Sequence, residues 1–92
     1  MSKAATEESF ESLISDLKSN DVAVRKKASL TLGEKKIKQA IPTLVEVLKN
    51  DEDKVVRNNA ARSLGKIGDV SALDPLCDAL NDSDYYVRQS AA

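Results

Sequence analysis

At 92 residues the chain can enclose one small core, and its 41% apolar content, mostly Leu, Ile, Val and Ala, is enough to fill it. Aromatic residues make up only 3% and Trp and His are absent, which disfavours strand-rich sandwiches and barrels and suits closely packed helices. The net charge of −1 removes the global basic field that would announce nucleic acid or an anionic membrane.

Local charge is less even. Arg25, Lys26, Lys27, Lys35, Lys36 and Lys38 lie close together with only Glu34 among them, whereas Asp69, Asp74, Asp78, Asp82 and Asp84 run without any Lys or Arg. The lone Cys77 excludes an intrachain disulfide and fits a reducing compartment. No stretch is long and apolar enough to span a bilayer, and Met1–Thr6 lacks the regions of a signal peptide. These features place the protein in the cytoplasm, away from membranes.

In chain order, Met1–Ala5 reads as a leader. Thr6 can cap a helix with Glu7 and Glu8 in its first turn, where the helix dipole favours negative charge. Phe10, Leu13, Ile14 and Leu17 then recur at the spacing of one helical face. Lys18-Ser19-Asn20 interrupts, Asp21 caps, and Val24, Ala28 and Leu32 form the buried stripe of the next helix. The connector Glu34–Gln39 lacks the Gly that would close this helix through a left-handed residue. Ile41, Leu44, Val45 and Leu48 repeat the opening pattern, with Pro42 in the first turn. After Asn50-Asp51-Glu52, Asp53 caps a helix that runs to Gly68 with Val56, Ala60 and Leu64 inward. Ser71 and Asp74 resemble a capping box ahead of Leu73, Leu76, Cys77 and Leu80.

The chain is therefore a repeat. Asp21, Val24-Arg25, Ala28, Leu32-Gly33 returns as Asp53, Val56-Arg57, Ala60, Leu64-Gly65 and again as Asp84, Val87-Arg88, Ala91, with Asp-to-Asp steps of 32 and 31 residues. The predicted units are 6–36, 37–68 and an incomplete 69–92, forming one domain. Each is a helical hairpin that covers its apolar faces only by stacking on its neighbour. With the third unit unfinished, either the chain is a fragment or something else covers Leu76 and Leu80, and the expectation is self-association with both buried against a second chain.

The copies Asp53-x-x-Val56-Arg57-x-x-Ala60-Ala61-x-x-Leu64-Gly65-x-Ile67-Gly68-Asp69 and Ala72-Leu73-x-Pro75-Leu76-x-x-Ala79-Leu80-x-Asp82-x-Asp84 resemble short HEAT repeats of the phycobilisome-lyase type, and the resemblance spans Phe10–Ala92. It implies an all-α superhelix, a solenoid of about two and a half hairpins. It leaves activity open, because scaffolds, phycobilin lyase subunits, iron-dependent deoxyhypusine hydroxylases and HEAT-like DNA glycosylases share the repeat. An Arg in a first helical turn opposes the dipole, so Arg25, Arg57 and Arg88 require partners. The caps Asp21, Asp53 and Asp84, or their counterparts in the adjacent copy, are the expected ones, giving a structural Asp–Arg ladder. Gly33 and Gly65 read as points of close approach by a neighbouring helix.

Chemistry is sparse. Without His, the His-Glu iron pairs implied for hydroxylase relatives cannot be assembled from this sequence. Asp51, Glu52 and Asp53 lack the Gly and ligand spacing of a calcium loop, and Cys77 occupies a core position. No nucleophile–base set emerges, so no catalytic, metal or cofactor site is expected and the chain reads as a non-enzyme. The variable stripe of the second helices is left: Lys26, Lys27 and Leu30, then Lys54, Val55, Asn58, Asn59 and Arg62, then Tyr85 and Tyr86. By resemblance these line the concave face, which makes them candidates for binding a protein or peptide as a scaffold, with the tyrosines as anchors. Two alternatives stand beside it. One is phosphate binding of nucleic acid by the basic cluster at 25–38, the less favoured partner; the other is an accessory subunit of a lyase-type complex.

Overall fold

A computed structural model describes residues 10–68, and these are helical apart from short turns. Helix α1, whose described part is 10–16, is followed by α2 (Val22–Glu34), a 3₁₀ turn (Lys38–Ala40), α3 (Ile41–Asn50) and α4 (Lys54–Ile67). The two hairpins, α1–α2 and α3–α4, stack with α2 against α4. The third copy, including Leu76, Cys77, Leu80, Asp84, Tyr85, Tyr86 and Arg88, lies outside the described residues.

Helix starts follow the capping chemistry read in the sequence. Asp21 accepts the Ala23 N–H at 2.9 Å, and Asp53 Oδ1 accepts those of Val55 and Val56 at 2.8 and 3.1 Å. Pro42 stands in the first turn of α3, where no intrahelical donor is lost.

One core joins the hairpins. Leu17, Ala28, Leu32, Leu44, Leu48, Val56, Ala60 and Leu64 are all buried, and Phe10, Leu13 and Ile14 pack partly buried against them. Burying each large aliphatic side chain contributes roughly 1.5–3 kcal/mol. Two positions differ from the periodic expectation. Val45 is only half-buried, whereas Val47 belongs to the same buried cluster as Leu17. Val24 is half-buried, whereas Ser29 and Gly33 are buried where α2 meets α4.

That meeting is close. A Cβ placed on Gly33 would stand 2.5 Å from the Ser63 Cα and closer still to Ser63 Oγ, so no side chain fits there. The Ser63 hydroxyl donates to the Ser29 carbonyl across the same contact. Gly65 differs from its counterpart: it is exposed, and among the described residues nothing lies within 4 Å of a Cβ built there.

The connector after α2 closes without glycine. Lys36 adopts a left-handed φ of 52°, its N–H bonds the Gly33 carbonyl at 3.1 Å, and the Ile37 N–H bonds the Leu32 carbonyl at 3.1 Å. This is a Schellman closure, and its apolar contact is made by the buried Ile37 and Leu32. In the next copy Gly68 occupies the equivalent place with φ 72°. The left-handed residue is thus retained although its glycine is not.

Two outcomes follow from this backbone. Gly33→Ala lowers stability by about 2 kcal/mol, since overpacking a rigid helix crossing outweighs the better helix propensity. Lys36→Gly raises stability by about 1 kcal/mol by relieving the left-handed Cβ penalty. Urea unfolding followed by far-ultraviolet circular dichroism measures both.

Candidate functional site

The second helices α2 and α4 carry the candidate binding stripe, and the turns before them fix where it points. In the first turn, the Ser19 side chain accepts the Asp21 N–H at 3.1 Å and the Ser19 carbonyl accepts from the Arg25 guanidinium at 2.8 Å. The second turn repeats this with Asp51: its Oδ1 accepts the Asp53 N–H at 2.9 Å, and its carbonyl accepts from Arg57 at 2.8 Å.

Because the second copy uses Asp rather than Ser, it gains a further bond. Asp51 Oδ2 lies 2.9 Å from Arg25 Nε, with side chains only 7% and 12% exposed respectively. The ladder expected on the caps is corrected here: Arg25 pairs with Asp51 of the next turn, and neither Asp21 nor Asp53 is its partner. The reason is geometric. Each cap carboxylate is turned onto the N–H groups of its own helix, while Asp51 lies where the adjacent hairpin presents it to Arg25. By sequence Asp82 holds the same place in the third copy, outside the described residues, as are Asp84 and Arg88. The carboxylates Asp51 and Asp53 are thereby engaged in structure, and among the described residues no cluster of three or more His, Cys, Asp or Glu is arranged to hold a metal.

Asp53 has a perturbed acidity. The hydrogen bond from the Val56 N–H holds its carboxyl below the ordinary range. Burial acts in the opposite direction, and the Val55 N–H and the positive charges of Lys26 and Arg25 add to the lowering.

The predicted stripe is divided by the structure. Lys27, Lys54, Val55 and Arg62 are exposed, Val55 at 39%. Lys26, Leu30, Asn58 and Asn59 are half-buried. Asn59 also serves the stack, since its amide donates to the Lys26 carbonyl at 3.1 Å on the neighbouring helix. Tyr85 and Tyr86 lie outside the described residues. Within α4, Val55, Arg62 and Lys66 fall at i, i+7 and i+11 and so share one exposed line. Of the basic cluster, Arg25 is neutralised by Asp51, while Lys27, Lys35, Lys36 and Lys38 are exposed. The close approach expected at Gly33 is the contact between α2 and α4, but sequence reasoning missed the hydrogen bonds that Ser29, Asn59 and Ser63 make there. Their visible signal was the pairing of small polar residues with Gly33 in the two copies.

A separate open cleft of about 330 Å³ lies at the turn end, lined by residues that include Leu17, Arg25, Glu46, Val47 and Asp51. Its charged centre is the Arg25–Asp51 pair already described. Lys18 and Glu46 approach to 3.8 Å at its rim, but both are well exposed and such a pair contributes little.

Asp51→Ala leaves Arg25 facing a largely buried position without its acid and is expected to cost about 3 kcal/mol in urea unfolding. For Asp53 the folded acidity is stronger than the unfolded one. Its stabilising contribution is therefore complete above the ordinary carboxylate value and is lost as pH falls through the folded value. Asp53→Asn should flatten this part of the acid limb in unfolding curves measured below about pH 4 while keeping the helix cap.

Comparison with known proteins agrees with this architecture. A family model described as HEAT repeats matches residues 10–92. Phycocyanobilin lyase subunit alpha of Nostoc sp. is 36% identical over 87 residues, 86% of this chain and 32% of that protein. Deoxyhypusine hydroxylase of Aspergillus niger is 33% identical over 85 residues, 90% of this chain and 25% of that protein. Among solved structures, a chain in the complex of CpcE and CpcF of phycocyanin lyase from Nostoc sp. PCC7120 superposes with a TM-score of 0.85 at 34% identity. That match covers 89% of this chain and 34% of the other. The chain thus spans about a third of the length of the lyase relatives it matches. The expectation of a non-enzyme is corrected by these matches, since the relatives are a lyase subunit and a hydroxylase, both named for enzymatic activities. No helix among the described residues is long and apolar enough to cross a membrane. Capped helical hairpins stacked through Gly33 and Asp51, the repeated Val-Arg and Leu-Gly frame, and a family match over nearly the whole chain together show that this protein belongs to the HEAT-repeat family.

Proposed function

We propose that the chain is a HEAT-repeat portion of a lyase-type assembly, in which it holds a protein partner on the exposed faces of α2 and α4. The observation that carries this reading is the match, at 34% identity and TM-score 0.85, to a chain from a complex of two lyase proteins. Repeated relationships to phycocyanobilin lyase subunit alpha from several organisms support it, at 36% identity in Nostoc sp. and 37% in Microchaete diplosiphon. The physical contribution is positional. Hairpins locked by the α2–α4 contact form a stiff surface, and stiffness lowers the entropic cost of docking a partner. The residues offered for that contact are Lys27, Lys54, Val55 and Arg62, with half-buried Lys26, Leu30, Asn58 and Asn59 at their flanks. On this reading the chain works within an enzymatic complex, and the lyase-subunit role is preferred to a free-standing scaffold.

The test is a chimera in which this chain replaces the matching third of the Nostoc phycocyanobilin lyase subunit alpha. Co-purification of the chimera with the other protein of the lyase, with lyase activity retained, is the expected result. A chimera that is helical and folded yet fails to pair with the other protein overturns the proposal.

A further inference from the structure

The near-zero net charge conceals a segregation of charge between helices. Helix α2 carries Arg25, Lys26 and Lys27 against a single acid, Glu34; α4 carries Lys54, Arg57, Arg62 and Lys66 with no acid at all. The acids collect elsewhere, in the capping turns as Asp21, Asp51, Glu52 and Asp53 and on the other helices as Glu11, Asp16 and Glu46. Two of the arginines belong to the frame, Arg25 through Asp51 and Arg57 through the Asp51 carbonyl. The remaining cations do not. Lys27, Lys54, Arg62 and Lys66 are exposed and form no ion pair with any described residue, and the same holds for Lys35 and Lys36 where α2 ends.

Lys36 adds an independent observation. It sits in the left-handed region at φ 52°, where the next copy has Gly68, so a cationic side chain stands where glycine would cost less. Ile37 is buried immediately after it and anchors the turn, which holds the Lys35 and Lys36 side chains on the surface. A strained residue retained where the fold does not need its side chain points to a use for that side chain.

We propose that the exposed face of α2 and α4, continued onto the Lys35–Lys36 turn, is an electrostatic docking surface for an acidic, carboxylate-rich protein surface. The charge selects an anionic partner. Two features select protein over nucleic acid. Exposed Val55 and half-buried Leu30 lie among the cations and favour apolar contact over phosphate. The acids Asp21, Glu52 and Asp53 also bracket the N-terminal ends of both helices, where a polyanion long enough to run past those ends, as duplex DNA does, would meet repulsion and a short acidic segment seated between them would not. The assignment deepens the reading of this chain as a protein-holding module, but the surface exists whether or not the chain acts in a lyase assembly.

The experiment uses the full chain and a fluorescein-labelled oligoglutamate peptide, with binding read by fluorescence anisotropy at low salt and during salt addition. Duplex DNA serves as the competing probe. Arg62→Gln with Lys66→Gln should weaken peptide binding about tenfold, taking each exposed cation–carboxylate contact near the middle of its usual range. Lys49→Gln, on α3, should leave affinity unchanged. Lys36→Gly supplies a readout that a structural role would not give: its thermal midpoint rises while its peptide affinity falls about threefold. The proposal is overturned if the peptide does not bind, if Arg62→Gln with Lys66→Gln behaves like Lys49→Gln, or if DNA binds more tightly than the peptide at matched salt. Because no lyase component is present, these outcomes are separate from failure of the chimera.

Discussion

Helices α2 and α4 approach so closely that residue 33 has no space for a side chain. Gly33 lies against the Ser63 backbone, the Ser63 hydroxyl reaches the Ser29 carbonyl, and the Asn59 amide reaches the Lys26 carbonyl. Close packing of this kind does not tolerate sliding, because a shift along either axis would drive Ser63 into a neighbouring turn of α2. The register between hairpins is therefore set at this contact, and the relative positions of every exposed residue on the two helices follow from it.

Asp51 secures the same pair of hairpins at the other end. One residue accepts the N–H of its own helix cap, takes the preceding hairpin's Arg25 on its carboxylate, and offers its carbonyl to Arg57. A charged pair at such low exposure is costly to form unless its remaining hydrogen-bonding capacity is used, and here Arg25 also donates to the Ser19 carbonyl while Asp51 accepts the Asp53 N–H. Arginines in the first turn of α2 and α4, unfavourable for each helix alone, become favourable once the turns provide these acceptors. With stacking assigned to Arg25 and Arg57, Lys27, Lys54, Arg62 and Lys66 are left to solvent, which is what gives α2 and α4 a basic face.

Family membership and likeness to lyase subunits also change how the absence of catalytic residues should be read. A sequence without His and without a nucleophile–base set suggests a passive module, yet its relatives include parts of enzymatic systems. The relatives correct the inference from those absent residue types, because a shared repeat fold carries many different activities.

Much of the fold was legible in the residues themselves. The Asp caps, the Val-Arg and Leu-Gly frame and the aliphatic spacing depend on contacts within one helix or turn, so Asp21, Asp53, Pro42 and the stripes through Leu32 and Leu64 could be placed from local rules. The left-handed closure at Lys36 could not, since its glycine signal is missing and the conformation is imposed by burial of Ile37 against the core. Nor could the partner of Arg25, because several nearby acids share its local chemistry and only the offset between hairpins selects Asp51. The candidate face followed the same division. Sequence period identified which positions of α2 and α4 point away from the core, but the tertiary contact withdrew Asn59 into the helix stack and left Val55, Arg62 and Lys66 exposed. What a residue does inside its own helix was written in the chain; what it does between hairpins was decided by a register that only packing could establish.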